Sequence, residues 1–222
     1  MKELCLALGL LASEKRVLRN KFVQIALVFS LINFCGFGMV MAEGSPNDKF
    51  GYGKSHLGLQ LGYGLGMSLG FVGWGDGSQV SYMAAFPSYG IGISDIFADE
   101  DWYRGNVDLV VQGEFIKNFQ PSDGYSLGGG FLFRYNFLAN KKFIPYLELG
   151  LGFGSLNFGL DDQIDGFVFS PQGGVGAYYF ISDHIAINAA WKLHHMSNSG
   201  IEQPNNSVNA SVFLLGVNYF FD

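Results

Sequence analysis

The 222 residues carry 13 Lys and Arg against 19 Asp and Glu, a net charge of −6, and only 14% of them are charged. This acidic balance argues against a nucleic-acid partner. A content of 32 Gly, 22 Phe and 11 Tyr is unusual for a soluble globule and suits a membrane barrel, with small inward side chains and aromatic girdles.

The chain opens on a targeting pattern. Lys15, Arg16, Arg19 and Lys21 precede an apolar run from Phe22 to Val40, which ends Val40-Met41-Ala42. A charged region, an apolar region and a small-residue cleavage site together define a secretory signal peptide, here residues 1–42, so the mature chain is expected to begin at Glu43. An uncleaved anchor helix is the rival, since the run is nearly long enough to span; a lipoprotein signal at Cys35 lacks the small residues that it needs upstream. Both cysteines, Cys5 and Cys35, precede the cut, which removes disulfides, Cys metal sites and Cys nucleophiles from consideration. Five of the 13 basic residues and two of the 19 acidic ones leave with the signal, giving a mature charge of about −9. About 180 residues remain, enough for one domain.

Beyond Ala42 no window supplies the 18 or so uninterrupted apolar residues of a spanning helix. The period is two instead. Leu57, Leu59, Leu61, Tyr63, Leu65, Met67 and Leu69 alternate with Gly58, Gln60, Gly62, Gly64, Gly66 and Ser68, as in a strand with one greasy face and one small, polar face. Runs of this kind fall at 56–70, 79–94, 105–118, 124–138, 142–157, 167–181, 184–198 and 207–221. Each exceeds the roughly 9–11 residues that a tilted strand needs to cross the hydrocarbon, and eight is an even number, as antiparallel closure requires. The expected fold is an all-β, eight-stranded antiparallel barrel spanning the outer membrane over residues 43–222.

A soluble barrel alternates too, but keeps its apolar face inside. Here the small face carries Gly with Asp108, Gln112, Glu114, Arg134, Glu148 and Lys192, which suits a narrow lumen with paired charges. The other face, dense in Leu, Phe and Tyr, would form apolar patches in water far beyond what monomers tolerate. With the N-terminus in the periplasm, the connections after strands one, three, five and seven are extracellular. The segment near 95–104 is longer than a periplasmic turn should be.

Strand seven presents Ile185, Ile187, Ala189, Trp191 and Leu193 to lipid, then His195 and Ser197 on the same face. His194 points the other way, with Lys192. In strand eight the outward set Phe213 to Phe221 extends back to Ser211 and Asn209. A hairpin centred on 199–206 sets Asn209 opposite His195 or Ser197, with Cβ atoms about 5 Å apart, while His195 and Ser197 lie about 6.6 Å apart along their strand. A hydroxyl, an imidazole and an orienting amide can then form one chain: Ser197 as nucleophile, His195 as base, Asn209 holding the tautomer. The bland alternative is a polar extracellular rim.

The segment His195-Met196-Ser197-Asn198-Ser199-Gly200-Ile201-Glu202-Gln203-Pro204-Asn205 resembles the signature of the PagL-type lipid A 3-O-deacylases, approximately H-x-S-N-A-G-[hydrophobic]-x-x-P-N. The likeness covers the last two strands closely and the rest in architecture. It implies an eight-stranded outer-membrane esterase with Ser and His on the outer wall, needing no cofactor and no metal, that hydrolyses the ester-linked acyl chain at position 3 of lipid A in lipopolysaccharide. It also implies Asn205, with backbone N–H groups at Asn198 and Gly200, as an oxyanion hole. Asn209 stands where the family has Glu, and Ser199 where it has Ala; Asn can fix a tautomer but brings no charge to an imidazolium.

The Gly-rich stretches Gly62–Gly66 and Gly150–Gly154 precede no helix, so narrow-lumen packing explains them better than phosphate binding. Asp161, Asp162 and Asp165 read as a solvated loop ahead of a divalent-cation site. The competing functional class is a structural or adhesive surface barrel without chemistry, and the sequence leaves a homodimer open.

Overall fold

The structure is a computed structural model that describes residues 46–69, 77–98, 101–140 and 142–222. The expected leader 1–42, its cleavage site and both cysteines lie outside the described residues. A 3-10 turn at Pro46–Lys49 is followed by eight strands: β1 Ser55–Gly66, β2 Ser81–Gly92, β3 Gly105–Gln120, β4 Gly124–Phe137, β5 Phe143–Asn157, β6 Gly166–Phe180, β7 Ile185–Met196 and β8 Val208–Phe220. Each pairs antiparallel with the next, and β1 pairs with β8, so the sheet is a closed barrel. Closure gives every strand two hydrogen-bonded neighbours, which is what a backbone in hydrocarbon needs. Among the described residues no helix is long and apolar enough to cross a membrane.

The expected face alternation holds along the ladders. Leu57, Leu59, Leu61, Leu147, Leu149, Leu151, Phe131, Phe133, Leu215 and Val217 are exposed on the outer wall. Asp108, Gln112, Glu114, Arg134, Glu148 and Lys192 are buried in the lumen. Leu69 departs from the pattern and is buried, because β1 ends at Gly66 and not near residue 70. Past Met67, whose N–H still donates to Asn209 O at 2.9 Å, the ladder no longer dictates which way a side chain faces.

Several lumen glycines are explained by close approach. A Cβ on Gly64 would run into the Tyr82 ring, one on Gly90 into the His56 ring, and one on Gly152 into Ser170 Oγ, with Glu114 Oε1 at 2.8 Å. The barrel is too narrow for side chains at these points, and the large neighbours fill it. An apolar layer of Phe50, Ile144, Tyr178, Phe180 and Phe220 closes the periplasmic end, while Tyr82, Phe86, Phe158, Leu214 and Met196 fill the extracellular half.

A charge cluster lies in the lumen as well. Glu148 Oε2 accepts from Arg134 Nε and Nη2 at 2.9 and 2.6 Å, and its Oε1 meets Lys192 Nζ at 2.7 Å. Lys192 donates onward to Gln112 Oε1 at 2.9 Å, and Glu114 accepts from Gln172 at 2.6 Å and Ser170 at 3.1 Å. Asp108, the third carboxylate of the lumen, accepts from Asn106 Nδ2 and Asn136 Nδ2 at 2.7 Å each, so each of these buried charges has polar partners.

The long periplasmic connection is a short extension of the β2–β3 hairpin. Phe97 and Gly105 exchange backbone hydrogen bonds, and Arg104 is tied to Leu138 through both its backbone and its guanidinium. The residue after the terminal aromatic pair, Asp222, forms an ion pair with Lys49 of the N-terminal turn, which holds its carboxyl below the usual Asp range.

The assignment of the outer wall is directly testable at Leu149, near the middle of β5 and 71% exposed. Leu149→Arg should destabilise the barrel by about 2–4 kcal/mol in a bilayer, because the guanidinium would sit near the midplane. Urea unfolding in lipid vesicles measures this; an unchanged midpoint would mean that the wall is not in lipid.

Candidate active site

The extracellular end of β7 and the start of β8 build the site. Their ladder pairs His195 with Asn209 and ends one residue later, at Met196 with Val208. Of the two registers open to the sequence, the structure takes the one that sets the amide opposite the imidazole. His195 Nδ1 lies 2.5 Å from Asn209 Oδ1. A carbonyl oxygen only accepts, so Nδ1 carries the proton and Nε2 keeps the lone pair of a base. His194, on the opposite face, hydrogen-bonds Tyr82 OH at 3.1 Å through Nδ1 and approaches Glu114 Oε2 at 3.5 Å inside the lumen.

Ser197 lies just beyond β7, where it bridges to Phe169 of β6 through two backbone hydrogen bonds of 2.8 and 3.0 Å. Its hydroxyl donates to Asn205 Oδ1 at 3.1 Å, and the same oxygen accepts the Asn198 N–H at 3.3 Å. Two donors on one oxygen fix the orientation of the Asn205 amide. The chain then turns tightly: Gly200 N–H donates to Asn198 Oδ1 at 2.9 Å, Asn198 Nδ2 donates to Glu202 O at 2.9 Å, and Ser199 and Gly200 both have positive φ. Ser199 N–H donates to Ser197 Oγ at 3.1 Å.

The structure therefore brings His195, Ser197, Asn198, Gly200, Asn205 and Asn209 into one locality. The Asn198 and Gly200 N–H groups point at side-chain oxygens of Asn205 and Asn198, which an anionic oxygen would have to replace. An N–H that does donate to the Ser197 hydroxyl belongs to Ser199, which the motif does not single out, because a backbone donor leaves no trace in residue type. His195 and Ser197 are each only 8% exposed and Asn209 is fully buried, so the outer-wall position is covered and not open. Part of the cover is Gly77, where a Cβ would come within 2.7 Å of Asn209 Nδ2.

Two loops not suggested by the motif also reach the site. Asp162 Oδ1 accepts from Ser78 Oγ at 2.7 Å, and its Oδ2 accepts from Asn206 Nδ2 at 2.8 Å. Asp165 caps the Phe158 and Gly159 N–H groups at 2.8 and 3.0 Å. These carboxylates are thus engaged in loop structure. Among the described residues no group of three or more His, Cys, Asp or Glu is arranged to hold a metal ion.

A closed eight-stranded antiparallel barrel with an apolar outer wall defines a class, that of the small outer-membrane barrels. The particular family follows from comparison. The family described as lipid A 3-O-deacylase (PagL) matches residues 63–218, and the chain belongs to it. This makes the protein a lipid A deacylase of the outer membrane. Among solved structures, the outer membrane enzyme PagL is similar at 17% identity and a TM-score of 0.51, over 73% of this chain and 97% of that one. Neisserial surface protein A is similar at 15% identity and a TM-score of 0.51, over 75% and 97%. At these identities the likeness is one of fold. No curated protein matches the chain in sequence.

The His195–Asn209 contact generates a paired test. Asn209→Asp keeps the acceptor and its size while adding a charge that stabilises an imidazolium, so kcat should be held or rise, by up to about tenfold. Asn209→Leu removes the acceptor and should lower kcat by about tenfold or more. Rates on purified lipopolysaccharide in detergent check both, and a fully active Leu variant would show that the amide does not orient His195.

Proposed function

We propose that the protein is a serine esterase, with Ser197 as nucleophile, His195 as general base and acid, and Asn209 as the residue that orients the imidazole. The observation that supports this best is the hydrogen bond from His195 Nδ1 to Asn209 Oδ1, which leaves Nε2 as the basic nitrogen on the ring two residues from a hydroxyl. Ser197 Oγ, which rests on Asn205, turns about χ1 toward His195 Nε2, gives up its proton there and attacks the ester carbonyl carbon at position 3 of lipid A. The carbonyl oxygen becomes an oxyanion. Asn205, with the N–H groups of Asn198, Gly200 and Ser199, is the set of donors within reach of it, and removing one such donor typically costs about 3–4 kcal/mol of barrier lowering.

Collapse of the tetrahedral intermediate expels the sugar oxygen, to which His195 returns the proton. The acyl group is then held as an ester on Ser197. Water, deprotonated by His195, attacks that ester, and the fatty acid leaves as His195 reprotonates Ser197. No step calls for a cofactor. The lipid enters sideways from the outer leaflet, with its acyl chains remaining against the apolar wall.

Neighbouring histidines separate this reading from a polar rim. Ser197→Ala and His195→Ala should each lower deacylation by about a thousandfold or more, since the two act as a unit. His194→Ala, in the lumen, should loosen the barrel yet leave a substantial rate. Deacylation assays on variants whose fold is confirmed by heat-dependent gel mobility decide it: an inactive His194→Ala beside an active His195→Ala would refute the assignment.

Export is inferred from the sequence pattern at 1–42. Protein purified from outer membranes should begin at Glu43 on N-terminal sequencing, and a chain that retains the apolar run would count against a cleaved leader.

A further inference from the structure

The β5–β6 loop crosses to the β7–β8 loop through contacts that do not serve its own folding. Gln163, with no exposure at all, accepts the Ser207 N–H on Oε1 at 2.8 Å, and it pairs with Asn205 in an isolated bridge. On either side of it, Ile164 N–H donates to Pro204 O at 2.8 Å and Asn206 N–H donates to Asp162 O at 2.9 Å. The Asp162 carboxylate adds Asn206 Nδ2 on one oxygen and Ser78 Oγ on the other. Ser78 N–H in turn donates to Ser207 O at 3.0 Å, and the same carbonyl lies 3.1 Å from the Ser78 hydroxyl, whose one proton goes to the nearer Asp162 carboxylate. Segment 204–207 is therefore gripped from two loops, and Ser207 is held there with φ of 63°, a conformation that a non-glycine residue adopts only when its surroundings impose it. The residue carried at the centre of that segment is Asn205, the acceptor of the Ser197 hydroxyl.

We infer that Gln163 and Asp162 are positioning residues of the deacylase: they lock segment 204–207 so that Asn205 meets Ser197 and the nearby N–H donors in a preset geometry. The inference rests on the Ser197 mechanism above. It also gives a role to a loop whose acidic residues read, in sequence, as mere solvation. Neither residue touches the reacting atoms, and both act through Asn205. Misplacing such a group by about 1 Å is enough to cost on the order of a hundredfold in rate while substrate binding persists.

The test uses the full-length barrel in detergent with purified lipopolysaccharide. Gln163→Leu keeps the volume and removes the acceptor; Asp162→Ala removes an exposed carboxylate whose loss does not endanger the barrel. Expected for Gln163→Leu is a fall in kcat of about tenfold or more with KM within about twofold, and for Asp162→Ala a fall of about fivefold with the same split. The labelling rate of Ser197 by an alkyl fluorophosphonate should fall in parallel, which a loss of general stability with native site geometry would not produce. Ser197→Ala is the control. If Ser197→Ala is inactive and unlabelled while Asp162→Ala, and Gln163→Leu where it folds, keep wild-type kcat and labelling, the positioning role is overturned and the serine mechanism stands. If Ser197→Ala retains activity, the mechanism itself fails and this inference with it. A Gln163→Leu that does not fold leaves Asp162→Ala to decide alone.

Discussion

Backbone hydrogen bonding without water is the constraint from which the rest of this molecule follows. In hydrocarbon an unpaired N–H or C=O costs several kcal/mol, so an open sheet edge is not tolerated and β1 must find β8. Eight strands are few enough that the closed cylinder has almost no interior. Small residues on the inner face are then a steric consequence of closure, seen where Gly64, Gly90 and Gly152 make room for Tyr82, His56 and Ser170. The charged belt follows as well. Polar side chains cannot face lipid, so Arg134, Lys192, Glu148 and Glu114 are driven inward, where the pairing of both cations with Glu148 and the hydrogen bonds of Gln172 and Ser170 to Glu114 offset the desolvation that burial imposes.

Closure also separates the two histidines. Because alternate residues of a strand face opposite sides, His194 is committed to the lumen network of Tyr82 and Glu114, and His195 to the outer side beside Asn209. A shift of register by one residue would exchange them and place a lone imidazole against lipid. The apolar wall below, Trp191 and Leu193 among it, fixes that register, so the same pattern that inserts the barrel also aims the candidate base.

The barrel and the shared face of His195, Ser197 and Asn209 were legible in the sequence because both rest on a period of two, which every strand repeats, whereas the choice of His195 over Ser197 as the partner of Asn209 needed the register of the β7–β8 ladder. Strand ends were legible to within a few residues, except at β1, where Met67 and Leu69 continue the apolar alternation after the chain has left the ladder at Gly66. The long segment at 93–104 gave no sign of being a hairpin extension, since its bridge between Phe97 and Gly105 depends on backbone groups alone. The candidate site divides the same way. His195, Ser197 and Asn209 stand out by type and spacing, and Asn205 by the resemblance of its segment to the family signature. The Ser199 N–H is a backbone donor, invisible to residue type. Asp162 and Gln163 come from more than 30 residues upstream and meet Asn206 and Ser207 only when β6 and β7 have folded back on each other, so no local pattern announces them.

Why such a site belongs at the rim of a wall, and not in a pocket inside the barrel, follows from the substrate. Each acyl chain of lipid A is held in the leaflet by about 0.8 kcal/mol per methylene, so drawing even one chain of a dozen carbons into water would cost on the order of 10 kcal/mol. An enzyme that met the lipid from solution would add that to its barrier. A nucleophile at the end of β7, as proposed for Ser197, would sit above an apolar wall and let the chains stay in the bilayer while only the linkage is engaged. The narrow, filled lumen makes the same point from the other side: it has no room for a lipid, which leaves the outer face, and that is the side on which β7 presents His195, with Ser197 just past its end.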